Sequence, residues 1–107
     1  MYIKKLTKSG QISLPAELYK QAGFKDGEYV TIYKEANQLV ISSHHTDDYL
    51  NKCIFRNGRL SIPMELRKML NINATTFLMI QSAKENKSLI IKIVVQQENH
   101  LLQQNSY

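Results

Sequence analysis

The chain contains the same pattern twice. Lys8-Ser9-Gly10-Gln11-Ile12-Ser13-Leu14-Pro15-Ala16-Glu17-Leu18-Tyr19-Lys20 lies over Arg56-Asn57-Gly58-Arg59-Leu60-Ser61-Ile62-Pro63-Met64-Glu65-Leu66-Arg67-Lys68 at a constant offset of 48. Residues 3–34 set over 51–82 share eight identities, six of them within residues 10–20, so the match is a motif rather than scatter. Farther on, Leu39-Val40-Ile41 lies over Leu89-Ile90-Ile91 at an offset of 50, which places two extra residues in the Lys84–Lys87 segment, at a hairpin tip. Two copies are too few for a solenoid, whose faces need about three repeats to be buried. They suit a pseudo-two-fold, a homodimer written into one chain. A unit of about 45 residues lies near the size below which a core fails without staples. The expected solution is for the halves to exchange strands and close one β-barrel, removing the edges that would otherwise aggregate.

Each copy reads as strand, turn, strand, short helix and hairpin. Ile3–Thr7 is β-rich, and Gly10 permits a turn at positive φ. Gln11-Ile12-Ser13-Leu14 alternates polar and apolar, as a half-buried strand does. Pro15 ends that strand and can open a helix, where its missing N–H costs nothing. Glu17 favours the first turn of that helix. Gly23 is a natural left-handed stop, and the second copy has Asn71 there. Tyr29–Tyr33 and Gln38–Ile41 make a hairpin around Glu35-Ala36-Asn37, and Phe77–Gln81 with Ser88–Val94 makes the second. The fold class expected is mostly β with two short helices, a swapped-hairpin barrel formed as an intramolecular pseudo-dimer. Residues 1–43 are the first repeat, 44–50 a polar linker, 51–95 the second repeat and 96–107 a polar tail.

Hydrophobic residues make up 43% of the 107 positions, ordinary for a folded domain. No run of 18 apolar residues occurs, so no membrane helix is expected, and the N-terminus lacks the apolar stretch of a secretory signal. The lone Cys53 cannot form an internal disulfide, in keeping with a reducing cytosol. It reads as a small, packed thiol. His44-His45 with Asp47-Asp48 reads as linker rather than a metal site, because neighbours on an extended chain point to opposite faces. Tyr19 and Tyr33 read as packing residues, and Glu17 and Glu65 as helix-start residues. No phosphate loop, HExxH, CxxC or Ser/His/Asp set is present. Neither an enzyme nor a cofactor is expected.

The net charge is +5. Residues 1–20 carry Lys4, Lys5, Lys8 and Lys20 against Glu17. Residues 51–68 carry Lys52, Arg56, Arg59, Arg67 and Lys68 against Glu65. Residues 21–50 are net acidic. Positive charge thus sits in two short blocks, one opening each half, where a solvated surface would mix signs. Brought together, the blocks would make one face for a polyanion.

The motif resembles the SpoVT/AbrB family. Lys4-Lys5-Leu6-x-x-Ser9-Gly10-Gln11-Ile12-Ser13-Leu14-Pro15-Ala16-Glu17-Leu18 is similar to its N-terminal module, and Gly58-Arg59-Leu60-Ser61-Ile62-Pro63-Met64-Glu65-Leu66-Arg67-Lys68 fits its pattern more closely. The resemblance implies a swapped-hairpin barrel and sequence-tolerant binding of double-stranded DNA. Carried over to this sequence, it implies DNA contacts by Lys4, Lys5, Lys20, Lys52, Arg59, Arg67 and Lys68. The charge blocks add Lys8 and Arg56. Gln11 and Tyr19 depart from the family, which has arginine at both positions, as the second copy does at Arg59 and Arg67. Gln11 still suits adenine in a major groove, where Arg59 suits guanine.

The expected function is transcription regulation on duplex DNA in a prokaryotic cytoplasm, in association with the nucleoid. Two other readings stand beside it. Related modules form the DNA-binding half of antitoxins, although the tail here is short and holds one acidic residue, Glu98. The same barrel could also serve only as a protein-interaction module. Self-association, and closure within one chain or between two, stay open.

Overall fold

The computed structural model describes residues 2–43, 51–85 and 87–94. Their order is β1 (Tyr2–Lys4), β2 (Gln11–Ser13), α1 (Ala16–Gln21), β3 (Tyr29–Glu35), β4 (Gln38–Ser42), β5 (Asn51–Ile54), β6 (Arg59–Ser61), α2 (Met64–Leu70), β7 (Leu78–Ser82) and β8 (Ser88–Ile93). The expected class holds: mostly strand, with two short helices. The assigned linker and tail lie outside the described residues.

The halves exchange strands. One sheet runs β1-β7-β8-β4-β3-β5, and β2 with β6 forms a separate two-stranded ribbon. The opening strand of each half therefore adds to the hairpin of the other. Two antiparallel pairs join the halves along a common pseudo-dyad. In the ribbon, Ile12 faces Leu60, 48 residues on, with Gln11 opposite Ser61 and Ser13 opposite Arg59. In the large sheet, Val40 faces Ile90, 50 residues on, at the centre of the β4–β8 pair. The two-residue change in offset occurs between β7 and β8, where the sequence placed it.

The barrel does not close. β1 and β5 each have a single ladder partner, and the ribbon is a sheet of its own. The reason is local. β2 and β6 are three residues each, bounded by a glycine turn before and a proline after. The turn bonds Thr7 N–H to Gln11 O (2.9 Å) and Arg56 N–H to Arg59 O (2.9 Å) link them to β1 and β5, without a continued ladder. Across the dyad the ribbon extends by Leu14 N–H to Gly58 O (2.8 Å) and Ile62 N–H to Gly10 O (2.9 Å).

One core serves both halves. Ile12, Ile32, Leu39, Ile41 and Phe55 pack with Leu60, Ile62, Leu78, Ile80, Leu89 and Ile91, each no more than 2% exposed. Phe55 of the second half lies edge-on to Tyr19 (4.8 Å between centroids) and Phe24 (5.6 Å) of the first. The cluster draws its buried side chains from both halves, and burial of each contributes about 2 kcal/mol.

The helices stop as their sequences suggest. Gly23 at φ +80 and Asn71 at φ +59 take the left-handed position. Phe24 N–H reaches back to Tyr19 O and Ile72 N–H to Arg67 O, satisfying the last carbonyls. Pro15 and Pro63 cap the helices rather than occupying their first turn, one residue earlier than expected.

Candidate nucleic-acid interface

The glycine turns differ by one residue, and that difference moves the charges. Arg56 and Arg59 exchange both backbone hydrogen bonds around Asn57 (φ +55) and Gly58 (φ +75), the signature of a two-residue type I′ hairpin. In the first half, Gly10 N–H donates to Thr7 O, Thr7 N–H donates to Gln11 O, and Gly10 takes φ +88. This is a three-residue loop ending in a glycine bulge. The extra residue shifts β1 relative to β5. Lys4 faces Leu78 in β7, whereas Lys52 faces Thr31 in β3. A one-residue shift in register turns a side chain to the other face of the sheet.

Lys4 and Lys52 are identical in the sequence alignment but not related by the dyad. The structural counterpart of Lys52 is Ile3, and that of Lys4 is Cys53. Lys5 corresponds to Ile54 and Thr7 to Arg56. The alignment at offset 48 therefore fails before Gly10 and holds after it. Tyr2 and Asn51 show the same shift: Tyr2 O–H donates to Glu17 (2.8 Å) and Asn51 Nδ2 to Glu65 (3.4 Å). The hydrogen bond and charge of Glu17 raise the Tyr2 phenol above its usual pKa.

The ribbon presents the central part of the candidate face. Ile12 and Leu60 point into the core at 1% and 2% exposure, so Gln11, Ser13, Arg59 and Ser61 stand on its outer side. Gln11, Lys52, Arg56 and Arg59, with Tyr29 and Ile54, line one groove of about 530 Å³ between the ribbon and β5. Asp26 of the first half holds this corner by accepting the Asn57 N–H (2.6 Å).

The remaining candidates are placed differently. Lys5 is exposed, with its ammonium 4.4 Å above the Phe77 ring. Lys4 is half-buried, and Lys8 stands exposed in the first turn. Lys20 and Lys68 are exposed in the last turns of α1 and α2, where they complement the helix dipoles. Arg67 is half-buried. Its Nε donates to Ile62 O (2.9 Å), and its guanidinium lies across Gly10, so close that a Cβ there would fall 2.5 Å from Cζ. Tyr19, its counterpart, lies across Gly58, with Cε2 3.5 Å from the equivalent point. Each helix thus braces the glycine turn of the other half. Sequence reasoning found the glycines and the Tyr/Arg exchange but not this contact, which joins residues 57 and 39 positions apart.

Cys53 is half-buried on β5, and burial pushes its thiol up to about 11. It is a packed thiol, as expected. Among the described residues no group of three or more His, Cys, Asp or Glu could hold a metal ion, and no helix is long and apolar enough to cross a membrane. His44, His45, Asp47 and Asp48 lie outside the described residues.

Among solved structures, the chain matches the solution structure of PHS018 from Pyrococcus horikoshii at 16% identity and a TM-score of 0.49, covering 87% of this chain and 86% of that one. No curated protein sequence matches. Residues 3–47 match the family described as antidote-toxin recognition MazE, bacterial antitoxin. The first half is therefore similar to the MazE antitoxin domain, and residues 51–94 are joined to it by dyad-related strand pairing.

Proposed function

We propose that the chain is a sequence-tolerant regulator of transcription that binds double-stranded DNA through the outer side of the ribbon and the turns that flank it. The observation that carries this reading is the convergence of Lys52, Arg56 and Arg59 with Gln11 on one groove beside the pseudo-dyad. Lys5, Lys8, Lys20, Lys52 and Lys68 supply phosphate contacts, which give most of the affinity, while Lys4 is turned to the other face of the sheet from Lys52. Arg59 and Gln11 supply base contacts. Arg67 positions the first turn. If about six phosphates are neutralised, log K falls with log salt at a slope of roughly −5.

The test is fluorescence anisotropy with a labelled random duplex across a salt series. Arg56→Ala with Arg59→Ala is expected to weaken binding at least tenfold and, because Arg59 contacts bases, to flatten the slope by only about one, with unchanged unfolding. Equal affinity in wild type and double variant would refute the site.

A second reading is favoured by the family match over residues 3–47: an antitoxin that binds its own operator and also holds a toxin. It predicts a small basic protein encoded nearby that co-purifies with the chain. A pure, singly eluting chain from co-expression of both genes would count against it.

A further inference from the structure

The pseudo-dyad relates the backbone of the ribbon but not its chemistry. Gln11 and Arg59 occupy dyad-related positions on the outer side, opposite Ser61 and Ser13 respectively. A homodimer of identical chains presents the same side chain at both positions. A single chain carrying both halves need not. From this we propose that the ribbon reads a duplex segment that lacks two-fold symmetry and does so in one orientation, with Arg59 selecting guanine on one side of the dyad and Gln11 selecting adenine on the other. The inference rests on the duplex-binding reading above.

Three observations carry it. The first is donor geometry. A guanidinium offers a fork of N–H donors that matches guanine O6 and N7, whereas a glutamine amide offers one donor and one acceptor that match adenine N6 and N7. The second is the register shift. Ile3 stands where the second half has Lys52, and Thr7 where it has Arg56. Hence no cation before the ribbon in one half has a cationic dyad mate in the other. The third is the exchange of braces. Beside Gln11, the Gly10 turn is covered by a guanidinium whose Nε is already committed to Ile62 O. Beside Arg59, the Gly58 turn is covered by the neutral ring of Tyr19. The Gln11 side of the dyad therefore has one arginine, Arg67, tied to the backbone, and the Arg59 side has two exposed ones, Arg56 and Arg59, so a duplex meets two different surfaces.

The experiment is selection from a random duplex pool with the full chain, with the mass of the complex measured by light scattering so that the consensus is read per bound chain. The wild type is expected to select a segment without internal dyad symmetry. At the base facing Arg59, guanine should exceed adenine by about 5- to 100-fold. Gln11→Arg should then bring in guanine at the dyad-related position. Arg59→Gln should remove the guanine preference, and each variant's fold is checked by circular dichroism. A palindromic segment under a single wild-type chain would overturn the inference and leave duplex binding standing. So would an unchanged consensus in both folded variants, or tight binding with no consensus. No binding at 50 mM salt would overturn both.

Discussion

Gly10→Ala separates the two halves of the chain energetically, because the glycine turns differ in what lies over them. At φ +88 an alanine pays the left-handed penalty of about 1–2 kcal/mol. At Gly58, φ +75, the penalty is the same, and a new methyl would meet Tyr19 at an ordinary contact distance of 3.5 Å. At Gly10 it would meet Arg67 Cζ at 2.5 Å and its two Nη atoms at 2.7 and 2.9 Å, so the guanidinium must leave. Its departure costs the Nε–Ile62 O hydrogen bond (2.9 Å), about 1–1.5 kcal/mol for a half-buried charged donor. Gly10→Ala is thus expected to cost about 2–3.5 kcal/mol and Gly58→Ala about 1–2. In an Arg67→Ala background the cost of Gly10→Ala should fall to the backbone penalty alone, leaving a coupling energy of about 1–1.5 kcal/mol. Urea unfolding followed by circular dichroism reads this as a difference in midpoint of roughly 0.5–1 M at ordinary m-values. A coupling within about 0.5 kcal/mol of zero, or equal costs at the two glycines, would refute the brace.

Two further outcomes follow from single sites. Ala36 sits at φ +55 in the exposed two-residue tip of the β3–β4 hairpin; Ala36→Gly should raise stability by about 0.5–1 kcal/mol, and any loss in thermal melts would contradict that turn geometry. Cys53, with its thiol near 11, should react with iodoacetamide at pH 8 about 100-fold more slowly than a thiol at the ordinary value of 9.0. Because the folded state keeps this proton where the unfolded chain loses it, stability should decline as pH rises from 9 towards 11, and Cys53→Ser should remove that part of the decline.

Repeat spacing alone is enough to derive the class of fold, because hydrophobic periodicity and turn chemistry are local. Pro15 and Pro63, Gly23 and Asn71, and the two hairpins fall where such residues must fall. The exchange of strands was also within reach, since a half of about 45 residues cannot bury a core alone. The packing of residues distant in sequence was not. Whether the ribbon joins the large sheet into a closed barrel depends on ladders that three-residue strands cannot continue. Whether two lysines at the same offset share a face depends on one extra residue in a turn, which inverts a strand's facing without altering its composition. The same holds for Arg67, whose charge suggests a partner in solution but whose hydrogen bond and glycine seat lie within the protein. Composition and spacing determined that two cationic segments open two matched halves. Only the tertiary structure decided that Lys4 and Lys52, matched in the sequence, lie on opposite faces, because register is set by hydrogen-bonded partners that lie far away in the chain.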